Sequence, residues 1–263
     1  MKWAALRGAV TAVALLLPAA GHAAPDNPLD YAWKMNRGAQ VPLGVTLHDE
    51  AGRDTTLGAT FAGKPVILDI GYFHCPTLCG VVRADLLAAL GTSGLREGRD
   101  YSLVSVSIDP KETSKDAADA KAADLAQAPF ASGADWHYLT GPAAAVAAVK
   151  AAVGFRDRYD ERFRQFLHPA GLVVLTKAGI VSGYLQGVGY SGGELRAAVL
   201  RAGQGGIAQA ALPILLLCFH FDSSTGRYTL AIVKLLRLAG GLTVLTIVGL
   251  LVVLHRNRPA PPP

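Results

Sequence analysis

Cys75 and Cys79, four positions apart, are the residues whose types and spacing most clearly suggest chemistry. They stand where an apolar strand pattern ends and a helical pattern begins. Because a helix N-terminus stabilises thiolates and side chains at i and i+4 can face the same way, the two sulfurs can share one metal ion or form a disulfide. Their separation is one residue longer than the redox Cys-x-x-Cys motif, which favours a metal site over a fast redox switch. A purely structural disulfide is less favoured, because it would close only a small loop.

Two thiolates suit a soft ion, Cu(I) before zinc, and such a site needs a third ligand from elsewhere in the chain. The sequence contains seven histidines. His168 stands in a loop, where the following Pro169 keeps the backbone extended. His74 adjoins Cys75, but at a strand end its ring should point to the opposite face. His137 falls in an apolar strand pattern and is expected in the core. These patterns alone leave the third ligand open.

A second candidate pair lies near the C-terminus. Cys218 is surrounded by apolar residues, and His220 follows two positions later, so the two side chains could act as ligands. The favoured interpretation is different: a cysteine in apolar surroundings usually behaves as a small buried hydrophobe, and His220 is then an interfacial residue.

The pattern of apolar residues predicts the elements that position these side chains. The predicted order is strand, helix, strand, helix, strand, helix, hairpin and helix. This is the order of a thioredoxin-like α/β domain with an N-terminal hairpin and inserted elements. On the first helix, Val81, Val82, Leu86 and Leu90 should share one side. The predicted elements are a hairpin around 45–57, strands at 65–72, 101–108, 136–139, 172–175 and 180–185, and helices at 80–90, 114–127, 143–153 and 193–202.

The charge of the chain is unevenly distributed. Its 263 residues carry 25 Lys and Arg against 20 Asp and Glu, for a net charge of +5 and a pI near 9.2. Seven of the basic residues lie in the two ends, so residues 25–226 carry 18 basic and 20 acidic residues. A nearly neutral central domain of this kind excludes nucleic acid as the expected partner.

Both ends of the chain have the composition of membrane-directed segments. Residues 1–24 have a basic start, an apolar stretch and small residues, as in a secretory signal peptide cleaved after Ala23 or Ala24; an uncleaved anchor is the alternative. Residues 238–254 contain no charged residue and can span about 25 Å as one transmembrane helix. We therefore expect a domain at 25–205, a juxtamembrane segment at 206–237 and a cytoplasmic tail at 255–263. The domain should face the periplasm from the inner membrane.

Four segments of the chain stand out together: residues 69–79, 105–110, 136–141 and 167–171. They resemble the Sco/SenC family of copper-binding proteins with a thioredoxin fold. The ending at residues 218–222, followed by the predicted membrane helix, resembles the bacterial branch of that family. The resemblance implies that Cys75, Cys79 and His168 are the ligands of Cu(I) or Cu(II), and that Asp109 lies near the metal. Asp109 could equally be a turn or cap residue. Many members have a later Asp-Thr pair, where this chain has Lys111 to Thr113.

The same resemblance implies a metallochaperone that helps to mature the binuclear copper centre of cytochrome c oxidase. The expected partners are the copper-bearing subunit of the oxidase, a periplasmic copper donor and the membrane. A membrane-anchored thiol-disulfide oxidoreductase that reduces the cysteines of the oxidase subunit is the alternative function. It would need Cys75 and Cys79 but not His168.

Overall fold

The structure is a computed structural model that describes residues 31–75, 78–209, 221–222, 227–228 and 237–247. The predicted signal peptide, Cys218 and His220 lie outside the described residues. The strands are β1 (Thr46–His48), β2 (Asp54–Thr56), β3 (Val66–Gly71), β4 (Ser102–Ser107), β5 (Trp136–Leu139), β6 (Arg158–Asp160), β7 (Gln165–Leu167), β8 (Gly171–Leu175), β9 (Val181–Gln186), β10 (Phe221–Asp222) and β11 (Arg227–Tyr228). The helices are α1 (Leu78–Ser93), α2 (Ser114–Gln127), α3 (Ala143–Val153) and α4 (Gly192–Gly203), with a 3-10 turn at Leu57–Phe61.

A mixed five-stranded sheet forms the centre of the molecule, in the order β5-β4-β3-β8-β9. Strands β3, β4 and β5 are parallel, whereas β8 runs antiparallel to both β3 and β9. Every residue of β3 and β4 is buried, which is typical of strands covered on both faces. The carboxyl end of β3 therefore lies in the middle of the sheet edge, where α/β folds commonly place their sites.

Alternate residues of β3 contact two different layers of side chains. Leu68 and Ile70 point to the face covered by α3 and the N-terminal hairpin, and Ile67 points to the face covered by α1, α2 and α4. Each buried side chain of this kind stabilises the fold by about 1.5–3 kcal/mol. On α1, Val82, Leu86 and Leu90 are buried, but Val81 is 43% exposed, so its predicted place on the buried side was wrong.

The helix ends agree with local sequence signals. Helices α2 and α4 each begin with a capping box, Thr113 with Asp116 and Ser191 with Glu194. Helix α3 ends at Gly154, whose φ of +67° is left-handed. A Cβ at this position would lie 1.7 Å from the carbonyl oxygen of Lys34, so the close approach of the backbone also requires glycine.

One predicted loop is instead a hairpin. Residues between α3 and β8 form β6 and β7, which pair antiparallel with Asp160 opposite Gln165. Arg164 takes a positive φ of 52° in the turn. As a result, His168 follows directly from the end of a strand, rather than from an extended loop.

The C-terminal segment is described only in part. Residues 237–247 are helical and exposed, and the remaining residues of the predicted transmembrane helix, 248–254, lie outside the described residues. Among the described residues, no helix has both the length and the apolar character needed to cross a membrane.

Candidate metal centre

The two cysteines lie at the junction between β3 and α1. Strand β3 ends at Gly71, Cys75 is half-buried in the following loop, and Cys79 is in the first turn of α1 with 5% of its surface exposed. The backbone N–H of Cys79 donates a hydrogen bond of 3.4 Å to Sγ of Cys75. The two cysteines are not joined by a disulfide. This arrangement places a nearly buried cysteine beside a half-buried one.

His168 comes to the cysteines from a segment 89 residues further along the chain. Its Nε2 lies 3.1 Å from Sγ of Cys79, and the ligand atoms of Cys75, Cys79 and His168 all lie within 4.8 Å of one another. Its Nδ1 is 3.1 Å from the carbonyl oxygen of Pro169, which can only accept a hydrogen bond. This contact assigns the proton of a neutral ring to Nδ1 and leaves the Nε2 lone pair directed at the cysteines.

Aromatic side chains fix the orientation of the His168 ring. Phe155 stacks on it, with ring centroids 5.5 Å apart and 29° between the planes. Tyr72 meets it edge-on at 5.9 Å, and Tyr72 in turn contacts Phe166 of β7 at 5.5 Å. Because these rings come from β7 and from the segments after β3 and α3, the imidazole is held by packing before any metal binds.

Gly71 leaves the space in which these side chains meet. A Cβ on this residue would lie 3.5 Å from Sγ of Cys79 and 4.0 Å from Cε1 of His168. These are ordinary van der Waals distances, so alanine would fit. Larger side chains would extend into the group of ligand atoms.

The surroundings of Cys79 favour the neutral thiol in the metal-free protein. A hydrogen bond to Cys75, and then burial, raises the pKa of Cys79 well above its ordinary value. Nε2 of His168, 3.1 Å from the same sulfur, is a second acceptor within reach of that one hydrogen. A metal ion at this position would displace that proton.

The hydroxyl group of Tyr72 is another polar atom near the group. It is buried and has no hydrogen-bond partner of good geometry among the described residues. Burial and the neighbouring Cys75 thiol both raise the pKa of Tyr72, so the phenol is neutral. A buried donor of this kind beside Cys75 fits a site in which that sulfur is a thiolate bound to a metal ion.

A buried cluster of charges, which the sequence patterns did not predict, lies near these residues on β3 and α1. The carboxylate of Asp69 accepts a hydrogen bond of 2.8 Å from the Ser105 hydroxyl, and Arg83 pairs with Asp124 at 3.1 Å. Asp124 also accepts a hydrogen bond of 2.7 Å from Tyr138. Burial raises the pKa of Asp69, and the nearby Arg83 opposes that rise. The one signal in the sequence was an aspartate inside an otherwise apolar strand.

The structure does not bring Asp109 into the group of ligand atoms. Its carboxylate accepts a hydrogen bond of 2.9 Å from the backbone N–H of Lys111, so Asp109 stabilises the turn after β4. Glu112 instead contacts residues 72–75, here called the cysteine loop, by accepting hydrogen bonds from the backbone N–H groups of Phe73 and His74. The ring of His74 is 67% exposed and lies near Glu112, so it points away from the ligands, as its place beside Cys75 predicted.

Within the described part of the chain, Cys75, Cys79 and His168 are the one group of this kind that can hold a metal ion. Two thiolates and one imidazole nitrogen form a soft donor set, which suits copper or zinc rather than magnesium or calcium. Three protein ligands also leave room for a further ligand. The donor set therefore fits the copper ion that the sequence predicts.

The fold and the sequence both have known relatives. A crystal structure of a proposed electron transfer protein from Aquifex aeolicus VF5 is 27% identical, with a TM-score of 0.56 over 65% of this chain and 95% of that one. Copper-bound ScoI from Arabidopsis thaliana is 19% identical, with a TM-score of 0.51 over 62% of this chain and 99% of that one. BsSco, described as a member of the Sco family of cytochrome c oxidase assembly proteins with a disulfide switch, is 17% identical, with a TM-score of 0.50 over 65% and 97%.

These structural similarities are consistent with the predicted thioredoxin-like fold. Comparison with curated proteins finds none that matches the chain. The SCO1/SenC family model matches residues 39–201, a range that contains both cysteines, His168 and the whole central sheet. The chain therefore belongs to the SCO1/SenC family.

Proposed function

We propose that this protein binds one copper ion through Cys75, Cys79 and His168 and delivers it to the copper-bearing subunit of cytochrome c oxidase. The observation that carries the proposal is the convergence of these three ligand atoms within 4.8 Å, in a member of the SCO1/SenC family. The copper held by the Arabidopsis relative and the assembly role stated for BsSco both support it.

The geometry gives each ligand a part in loading the ion. In the tautomer set by the contact with Pro169, Nδ1 carries the hydrogen and Nε2 carries the lone pair that can bind the ion. Cys79 must lose its proton when the ion binds, so loading releases at least one proton. Two thiolates stabilise Cu(I), and the imidazole nitrogen also suits Cu(II). With three protein ligands, an incoming ligand of the receiving subunit can bind before the donor ligands leave, and copper moves by exchange.

We further propose that the domain faces the periplasm from the inner membrane. The support is the composition of residues 1–24 and 238–254, which is typical of an export signal and a membrane-spanning helix. In that location the domain would receive copper from a periplasmic donor and act where the oxidase subunit is inserted.

The test is copper binding by the purified protein and by the His168→Ala variant. Wild type should bind about one copper per chain with a thiolate-to-Cu(II) absorption band, and His168→Ala should lose Cu(II) affinity by at least about tenfold. His48→Ala is the matched control, because His48 pairs with Asp54 on the N-terminal hairpin, outside the ligand group. Unchanged Cu(II) binding in His168→Ala would refute the proposed site.

A second function, thiol-disulfide exchange with the cysteines of the oxidase subunit, is favoured by the unequal burial of the two cysteines. Half-buried Cys75 can attack a target disulfide, and nearly buried Cys79 can then resolve the mixed disulfide. This activity should survive in His168→Ala and disappear in Cys75→Ser. Loss of target reduction in both variants would argue against it.

A further inference from the structure

We propose that Glu112 is a positioning residue that holds the cysteine loop in the geometry needed for copper binding. This inference rests on the proposed copper function and assigns a role to a residue outside the ligand set. Glu112 lies in the turn between β4 and α2, 33 or more positions away from either cysteine along the chain.

The carboxylate of Glu112 binds two consecutive backbone N–H groups of the cysteine loop. Oε2 accepts a hydrogen bond of 2.8 Å from Phe73, and Oε1 accepts one of 2.7 Å from His74. The Ser107 hydroxyl at the end of β4 donates to Oε2 at 2.5 Å. Only 4% of the Glu112 side chain is exposed. One buried carboxylate thus joins the cysteine loop to the neighbouring strand.

The hydrogen bonds from the cysteine loop to Glu112, here called the clamp, act on the part of the chain that determines where Cys75 lies. The last strand contact of β3 is the hydrogen bond from Ile108 N–H to the carbonyl of Gly71. Residues 72–75 then leave the sheet, and Glu112 binds the backbone N–H groups of the two residues directly before Cys75. Hydrogen bonds to a carboxylate are shorter and stronger than those between neutral groups. Releasing them would allow Cys75 to shift relative to Cys79 and His168, and metal sites are sensitive to displacements well below 1 Å.

The interaction requires a carboxylate rather than a carboxamide. Both oxygens of Glu112 accept hydrogen bonds from backbone N–H groups, whereas glutamine has one acceptor oxygen and a donor NH₂ group. Glu112→Gln keeps the shape and volume of the side chain but turns a donor toward one of the two N–H groups. It therefore breaks the clamp without leaving a cavity.

The chain offers a matched control in Glu97. Its carboxylate also accepts backbone N–H groups, from Ser132 at 2.7 Å and Asp135 at 2.9 Å, but it does so next to the amino end of β5, away from the metal group. Glu97→Gln therefore removes the same kind of loop clamp with the same change of charge. A difference in copper affinity between the two variants therefore shows that the effect depends on the location of Glu112 beside the cysteine loop.

The experiment measures Cu(II) and Cu(I) affinity by chelator competition, together with the thiolate-to-Cu(II) absorption band and the electron paramagnetic resonance spectrum. Glu112→Gln should weaken copper binding by about 10- to 100-fold and change both spectra, and Glu97→Gln should keep wild-type values. If Glu112→Gln does not fold, Ser107→Ala, which removes one donor to Oε2, should give a smaller loss in the same direction. Wild-type affinity and spectra in the folded Glu112 variant, or in Ser107→Ala when that variant replaces it, would overturn the proposal.

A second readout separates this proposal from the proposed function. The equilibrium constant for forming the Cys75–Cys79 disulfide against glutathione needs no copper, and it depends on how the loop presents Cys75 to Cys79. It should shift in Glu112→Gln and remain unchanged in Glu97→Gln. If wild type fails to bind copper, the proposed function fails, and this constant still decides whether Glu112 positions the loop. Equal constants in wild type and Glu112→Gln would then refute the clamp.

Discussion

Replacing Arg83 by methionine should strongly destabilise the domain, because Arg83 is the cation among buried carboxylates. Its side chain is mostly buried, it pairs with Asp124 at 3.1 Å, and its positive charge also acts on Asp69. Methionine keeps much of the volume but leaves two buried carboxylates without a counter-charge. Removing one partner of a buried ion pair costs about 3–5 kcal/mol. For a domain of this size that corresponds to a fall in Tm of about 6–20 °C.

The loss should also depend on pH, in a direction set by Asp69. Burial raises the folded-state pKa of Asp69 above its ordinary value of 3.8, so the folded protein holds this proton more tightly than the unfolded chain does. Such a group contributes stability at low pH that is lost as the pH rises through its folded pKa. Removing Arg83 raises that pKa further, so the variant should lose more stability at pH 8 than at pH 5.

Urea denaturation at the two pH values tests both expectations. Arg99→Met is the control, because Arg99 pairs with Asp100 at the surface and its loss should change stability little. Adding Asp69→Asn to Arg83→Met should restore part of the loss, since the amide can keep the Ser105 hydrogen bond without a buried charge. An Arg83→Met loss below about 1 kcal/mol, or the same loss at pH 5 and pH 8, would refute the reasoning.

Three further predictions concern the metal site and the backbone beside it. Gly71→Val should reduce copper affinity at least about tenfold in a chelator titration, because the γ-carbons of valine enter the space beside Cys79. Gly71→Ala should bind copper normally, so equal binding by the two variants would contradict this prediction. Copper affinity should rise with pH by up to about tenfold per pH unit for each proton released. The reason is that the raised pKa of Cys79 keeps its thiol protonated at neutral pH. A copper affinity that stays constant from pH 6 to 8 would argue against a protonated thiol. Gly154→Ala should lower Tm clearly, because the new Cβ would lie 1.7 Å from the Lys34 carbonyl oxygen. Gly63→Ala is the control: Gly63 has a similar φ in an open position, so this variant measures the cost of backbone strain alone.

Most of the fold was predictable because its main elements carry strong periodic patterns. The buried strands β3 and β8 consist mostly of apolar residues, and α2 and α3 coincide with the predicted ranges. The hairpin of β6 and β7 was not predicted, because each strand has three residues and the segment is rich in charge. Its pairing depends on contacts such as that between Tyr159 and Phe166, whose rings lie 5.0 Å apart. Patterns this short do not distinguish a strand from a loop.

The ligands of the candidate site could be proposed from the sequence, but their environment could not. Family resemblance selected His168 among the histidines, whereas its orientation by Phe155 depends on which rings the fold brings together. The same resemblance directed attention to Asp109, although the carboxylate that reaches the cysteine loop belongs to Glu112. Both residues lie in one turn, so only the side-chain directions separate them. Sequence spacing does not contain that information.

The three candidate ligands are held in different ways, and this difference bears on the proposed copper transfer. Cys79 is fixed by α1 and by burial, and His168 is fixed by aromatic packing and by its bond to Pro169. Cys75 is the more exposed cysteine, and we propose that its position depends on the backbone N–H groups that Glu112 binds. An incoming ligand can approach the half-buried Cys75 with less disturbance of the core than the nearly buried Cys79. Transfer should therefore begin with exchange at Cys75, while the two ligands embedded in the fold retain the ion until the receiving site has bound it.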